Sequence, residues 1–551
     1  MSHSQDSLLP GARKKKTAPS PCRAGSFRSQ QGAGSLNRIV HERHITTGYL
    51  SWSPPPPPPV QCSLAMGRRV LYSCGALSLL LLIISIVLLV AHTFMDMVET
   101  EVKKATVLKN GTEVFNDWVN PPPPIYMQFY FFNVTNPLEV LGGEKPVVDE
   151  IGPYTYREYR PKENVEFLRN GTEVFAVSPK TYIFEPNKSV GDPKVDLIRT
   201  INIPIVTLLE MTRNNKYFKY IKAIVAAVLK TYNENIFLIR SVDDLLWGYK
   251  DPVLSLVHTV VPEISEMFGL FYNMNATNDG TYVFLSGSEG YLDFTKIVEW
   301  NENRSLSWWT TDTCNMINGT DGTSFHPLIN KDDIIYLFSS DLCRSIFAVY
   351  EASDSVKGIS VFRFIPPAKV FANVTVNPDN AGYCVPKGNC LPSGLLNVSI
   401  CKQDAPIILS SPHFYQAEEF VINSVIGMKP KKEDHETFMD INPLTGMLIQ
   451  AAKRMQVNVY VRKIPEYEIT QQIQTLYFPV MYLNESVLID DQSAGKMRSV
   501  LLEARVVANV PFIVMAFGII FGIIFVVLSC RQSRTREEGT EDERGPLIRT
   551  S

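Results

Sequence analysis

Two apolar runs near the ends of the chain limit what it can fold into. Val70 to Ala91 is 22 residues without a charge, and Val506 to Leu528 is 23 residues interrupted only by Asn509 and Pro511. At the rise of an α-helix each run covers about 33 Å, close to the hydrocarbon thickness of a bilayer. A core helix of a soluble protein would show a polar face over such a length, so both runs are expected to span a membrane. Arg68 and Arg69 precede the first run, and Arg531, Arg534 and Arg536 follow the second; Asp96, Glu99 and Glu101 lie just inside. Basic flanks favour the cytosolic side, which places both termini in the cytosol and residues 92–505 across the membrane. A cleaved leader competes for the first run, but the apolar core of a leader is only about 7 to 15 residues long.

Two independent signals agree that the middle of the chain is translocated. Asn-X-Ser/Thr occurs at Asn110, Asn133, Asn170, Asn187, Asn275, Asn303, Asn318, Asn373, Asn397 and Asn484, always between the runs and never outside them. Such acceptors are modified only in a secretory compartment, and only at surface positions. Five of the nine cysteines, Cys314, Cys343, Cys384, Cys390 and Cys401, also lie there. An oxidising lumen favours disulfides, and an odd number leaves at least one thiol over. Cys384 and Cys390 flank a turn-rich Val-Pro-Lys-Gly-Asn loop. Closing so short a loop is worth about 2 kcal/mol, against about 4 kcal/mol for a loop the length of Cys343 to Cys401.

Residues 1–65 read as disordered: a basic run from Arg13 to Lys16, many Ser and Gly, and six prolines from Pro54 to Pro59. Met66-Gly67-Arg68-Arg69 already makes a short cytosolic flank. Between the spans no linker or repeat is visible. Tyr126–Val134, Tyr282–Leu285, Ser360–Phe364, Val457–Lys463 and Leu476–Leu483 read as strands bounded by turn residues, which suggests a largely antiparallel β core. Tyr217, Ile221, Ile224, Val225, Val228, Leu229 and Tyr232 recur at helical spacing, and Val242–Leu246 and Asp251–Val260 continue a helical region over about residues 204–270. This stripe is either an ordinary packed face or a surface that binds a partner.

A net charge of −3 gives no sign of nucleic-acid binding. No phosphate-binding loop, nucleophile elbow or zinc motif is present. His258, His326, His413 and His435 lack metal-ligand spacing, and Asp434-His435-Glu436 reads as a polar or hydrogen-bonded loop. We therefore expect no catalytic residue, metal or cofactor, and no enzyme. The tail is more informative. Glu543 followed by Leu547 and Ile548 matches an acidic dileucine address, in which an apolar pair enters an adaptor pocket beside a basic patch. That points to clathrin adaptors and to endosomes or lysosomes. Gly518-x-x-x-Gly522 in the second span offers close helix approach and so a possible homo-oligomer, and Cys74 and Cys530 near the membrane edges are candidates for palmitate.

Several segments together resemble the CD36 / scavenger receptor class B family: Gln128-Phe-Tyr-Phe-Phe-Asn-Val-Thr-Asn136-Pro137, Gly152-Pro-Tyr-Thr-Tyr-Arg-Glu158, Leu246-Trp-Gly-Tyr-Lys250, Asn315-Met-Ile-Asn-Gly-Thr-Asp-Gly322, Asp434-His-Glu-Thr-Phe438 and Asp440-Ile-Asn-Pro-Leu-Thr-Gly446. The likeness covers about Met66 to Thr550. It implies an α+β fold: two transmembrane helices, 70–91 and 506–528, flank a luminal domain with an antiparallel β-barrel core and an apical helical bundle, followed by a cytosolic tail at 529–551. It further implies a tunnel for cholesterol or phospholipid, and disulfides joining Cys343 to Cys401 and Cys384 to Cys390 with Cys314 free. The family's lysosomal member delivers β-glucocerebrosidase to lysosomes, binding it through the apical helix that here carries Tyr217 to Tyr232. The alternative is a plasma-membrane or endosomal scavenger receptor for lipid and lipoprotein. Two departures stand out. The third bridge of the plasma-membrane members is absent, and no histidine lies between Glu210 and Asn235, where acid release of cargo would need one.

Overall fold

The computed structural model of the chain describes residues 68–214 and 235–542. The N-terminal extension 1–65, the stripe Tyr217, Ile221, Ile224, Val225, Val228, Leu229 and Tyr232, and the tail residues Glu543, Leu547 and Ile548 lie outside the described residues.

Bulky aromatic and β-branched side chains crowd Ile125–Val134, and such residues favour a pleated, buried backbone. The segment forms a strand in which Phe129, Phe131, Phe132 and Val134 are almost wholly buried. It sits inside an antiparallel sheet of 11 strands. Along the sheet the order is Ile335–Ser339, Arg344–Val356, Ile359–Ile365, Phe438–Ile441, Leu448–Val461, Leu476–Leu488, Ile125–Val134, Val148–Tyr159 and Thr181–Phe184. Leu395–Asn397 and Ile407–Ser410 branch from the Leu448–Val461 strand. The first strand of the domain thus pairs with the last, with Ile125 opposite Val487 and Phe131 opposite Met481. A second antiparallel sheet is made of Glu163–Leu168, Glu173–Val177, Thr281–Leu285 and Ile297–Trp300.

Helices Ile203–Asn214 and Pro252–Val260 form a small separate core, in which Ile205, Leu208 and Leu209 meet Val253, Leu254 and Val257. Asp251 caps the second helix, accepting from the backbone N–H of Val253 and Leu254 at 2.9 Å each. Glu210 holds this lobe to the sheet through a two-pronged pair with Arg462, with Nε to Oε1 at 2.7 Å.

The apolar runs become the helices Arg68–Val90 and Val510–Asp542. Neither joins its neighbour smoothly. His92, at φ 49°, separates the first from the helix Thr93–Ala105. Asn509 ends the helix Asp491–Ala508, its side chain donating to the Arg505 carbonyl at 2.7 Å. The second spanning helix therefore begins at Val510 rather than at Val506, and Pro511 occupies its first turn, where a missing N–H costs nothing.

The two spanning helices pack against each other along Gly75, Ser78, Leu82 and Ser85. Ser78 and Ser85 are buried and donate to the carbonyls of Gly518 (2.8 Å) and Pro511 (2.9 Å). A Cβ on Gly522 would lie 2.9 Å from the Ser78 hydroxyl, and one on Gly518 would lie 3.1 Å from Leu82. The Gly518-x-x-x-Gly522 face is thus occupied within the chain by its own first helix. Small residues let the backbones approach, and the serine hydroxyls then reach carbonyls that have no water to turn to. Gly518→Leu should separate the pair and weaken the protein by about 1–2 kcal/mol. Thermal unfolding of the full chain in detergent checks this, with the exposed Ile520→Leu as the control that should not move.

Candidate ligand cavity

The strongly curled sheet brings strands from distant places in its order around one cavity of about 670 Å³. Leu337 and Ile346 come from one end of the sheet, Ala451, Met455 and Val487 from its middle, and Tyr282 and Phe284 from the second sheet. The wall is completed by Val102 and Ala105 of the helix Thr93–Ala105 and by Met497 and Val500 of Asp491–Ala508. Both helices adjoin the spanning helices, and Val500 is 54% exposed, so this part of the wall lies at the domain surface on the side of the spanning helices. Pockets of about 300–1,000 Å³ with mainly apolar walls suit a small amphiphile.

One part of the wall is ionic. Lys453 stands opposite Glu485 in neighbouring strands and reaches both it (3.3 Å) and Asp341 (2.5 Å). Arg160 bridges Glu485 and Glu158. Deeper in, Lys162 pairs with Asp321 at 2.8 Å and lies 5.0 Å over the Trp118 ring. Lys453 holds the Asp341 carboxyl well below the usual carboxylate range. For Glu485, burial acts the other way but is outweighed by Arg160 and Lys453, so it too is lowered. Burial likewise opposes charge on Asp321, but Lys162 and Thr323 bring it down to about 2. Glu158 differs: burial pushes its carboxyl up in spite of Arg160. The other three carboxylates keep their charge well into the acid range.

The CD36 family model matches residues 76–529. The chain belongs to the CD36 family. It is 55% identical to mouse lysosome membrane protein 2 over 485 residues, which is 88% of this chain and 100% of the relative. The human lysosome membrane protein 2 gives the same identity and coverage. Bovine scavenger receptor class B member 1 is 31% identical over 473 residues, 85% of this chain and 91% of that protein. These likenesses, with the two spanning helices, support a lysosomal membrane protein of the CD36 family's class B scavenger receptors.

Within this CD36-family domain Cys343 is joined to Cys401 and Cys384 to Cys390, while Cys314 is buried and unpaired. A Cβ on Gly382 would lie 2.5 Å from the Cys314 sulfur, so only glycine fits over that thiol. Of the glycosylation acceptors, Asn110, Asn170, Asn187, Asn275 and Asn303 are exposed; Asn133, Asn318, Asn373, Asn397 and Asn484 are half-buried. Asn484 donates to Gln128 at 2.9 Å. Among the described residues no three His, Cys, Asp or Glu side chains are placed to hold a metal ion. The ionic wall had no signature in the sequence, because its members come from five separate segments. His435, read as part of a polar loop, is 5% exposed and stacked on His413; the Asp-His-Glu triplet marked the residue but not its partner.

Asp321→Asn would leave the Lys162 ammonium, 1% exposed, without a counter-charge. Breaking a buried pair from one side costs about 3–5 kcal/mol. Because Asp321 is lowered when folded, its contribution is fully present above the ordinary aspartate pKa of 3.8 and is lost only as pH falls towards about 2. The drop in melting temperature should therefore be as large in mild acid as at neutral pH, which thermal unfolding at both will show.

Proposed function

We propose that this protein is a lysosomal receptor whose luminal domain takes up a sterol or phospholipid in its cavity and passes it towards the membrane. The observation that carries this reading is the position of the cavity: its apolar wall includes residues of both helices that adjoin the spanning helices. A lipid leaving between Ala105 and Val500 would emerge at the bilayer surface and avoid bulk water, whose contact with the lipid's apolar area is costly. Ala451 lies on the cavity wall. Ala451→Trp should fill the space and reduce photo-crosslinking of a diazirine sterol to the full chain at least tenfold. Unchanged labelling would overturn the lipid reading.

The second reading is cargo sorting, which the family likeness and the tail favour. In it the stripe of Tyr217, Ile221, Ile224, Val225, Val228, Leu229 and Tyr232 binds β-glucocerebrosidase, and Glu543, Leu547 and Ile548 engage clathrin adaptors from the cytosol. Both termini are cytosolic in this arrangement. Leu547→Ala combined with Ile548→Ala should move the protein from lysosomes to the cell surface, measured by surface biotinylation. Co-precipitation of β-glucocerebrosidase with the wild-type chain at neutral pH, lost in Ile224→Asp at unchanged protein yield, checks the cargo face.

A further inference from the structure

His413 and His435 come from separate loops, yet their rings stack at 4.4 Å between centroids with 16° between planes, and each residue is only 5% exposed. Their hydrogen bonds define their protonation. The backbone N–H of Lys429 donates to His413 Nδ1 at 3.0 Å, and that of Lys431 donates to His435 Nδ1 at 2.9 Å. Both Nδ1 atoms must be bare to accept, so the proton of His413 sits on Nε2 and is given to Glu150 at 2.6 Å. The pair is built for two neutral imidazoles. An imidazolium carries a proton on both nitrogens, so charging either ring sets an N–H against the backbone N–H it now accepts from. Charging both would stack two cations.

The surroundings compensate only in part. From the Val148–Tyr159 strand Glu150 faces the pair, and from the last strand Tyr482 also donates to Glu150 at 3.1 Å. Tyr130 stacks on Tyr482, and Phe132 meets the His413 ring from the same strand. Gln456 of the Leu448–Val461 strand accepts from the His413 backbone N–H at 2.6 Å, and the Arg454 guanidinium on that strand adds positive charge. On the His435 turn itself Asp434 carries negative charge towards the ring, and Glu436 follows. Burial first, and then the repulsion from any charge on the neighbouring His413, push His435 down to about 4.

These two rings tie together pieces of the cavity wall. Ser411, Tyr415 and Gln416 follow or flank His413, Glu436 and Thr437 follow His435, and all five line the cavity. The loop at His413 is also under conformational load: His413, Phe414 and Gln416 adopt φ of 52°, 57° and 64°. For side chains of this size the left-handed region is unfavourable, and it persists only where tertiary bonds impose it. His413 makes three of those bonds.

We propose that the His413–His435 stack is an acid-released clasp, which holds this wall of the cavity shut at neutral pH and lets it open at the pH of a lysosome. Protons drive the opening because they bind the released His435 imidazole more readily than the stacked one. The sign follows: stability from the clasp is fully present above the ordinary histidine pKa of 6.5 and is lost as pH falls towards about 4. For one proton on His435, opening should become about 70-fold more favourable between about pH 7.4 and about pH 4.5. In the ionic wall beside it Asp341, Glu485 and Asp321 stay charged over this range, so release would be local. The clasp does not depend on whether the cavity carries lipid or on what the tail sorts.

The test is amide hydrogen exchange of the full chain in nanodiscs at these two pH values, corrected for the intrinsic rate. Protection over residues 409–416 and 427–437 should fall about 70-fold in acid, while the strand pair Leu197–Ile201 and Phe237–Ser241 should keep its protection. His435→Gln removes the titrating ring and should abolish the acid loss. His413→Asn suits the left-handed backbone, retains an acceptor for Lys429 and takes away the neighbouring imidazole; it serves if the first variant does not fold, and it should reduce the loss severalfold. Equal protection of these segments at both pH values in the wild type would overturn the proposal. So would a full acid loss in either folded variant, or a matching loss in the reference strands.

Discussion

The whole domain between the two anchors begins and ends at one close-packed pair of helices. The approach of Gly518 and Gly522 to Ser78 and Leu82 fixes the two membrane anchors side by side, and the chain between them must return to its starting point. An antiparallel sheet satisfies that demand, because its first strand, Ile125–Val134, can lie beside its last, Leu476–Leu488. The juxtamembrane helices Thr93–Ala105 and Asp491–Ala508 follow from the same closure and become the threshold of the cavity.

Inside that frame the domain keeps two kinds of ionisable chemistry close together. The pairs around Lys453, Glu485 and Asp341 are matched charge for charge, so the partner of each group holds its ionisation far from physiological pH. They give the cavity a permanently polar flank that does not respond to acid. The imidazole pair on the neighbouring wall is matched for neutrality, and acid works against it. A compartment that changes pH along its route would act on one wall and leave the other.

Much of this was legible in the residues. The two anchors, the antiparallel class and the strand positions around Tyr126, Tyr282, Ser360 and Leu476 followed from apolar runs and alternation. The strand Leu448–Val461 shows where legibility ended. Only its second half was read as extended, since Ala451, Ala452, Lys453 and Arg454 are good helix formers. Pairing on both sides overrides that preference: Ala452 lies between Phe438 and Ser486. A cavity was expected only through the family resemblance, because it is lined by strands from distant places in the sheet order, which no local pattern encodes. The ionic wall joins residues hundreds of positions apart, and the histidine stack joins two separate turns 22 positions apart, so a single sequence shows the participants without the contacts. The glycine pair in the second span was noticed, but its partner helix proved to be in the same chain.

The Ser78 hydroxyl bonds to a carbonyl 440 residues away in sequence. During synthesis the first anchor therefore sits in the bilayer without its mate until nearly the whole protein has been made. For most of that interval Ile125–Val134 also lacks one neighbour and leaves an unpaired edge. The strand Leu476–Leu488 supplies the missing edge partner first, and the second anchor follows once the helix Asp491–Ala508 has been made. Sheet closure and anchor pairing are thus both late steps, and a message cut short upstream of Leu476 leaves Ile125–Val134 with an open edge.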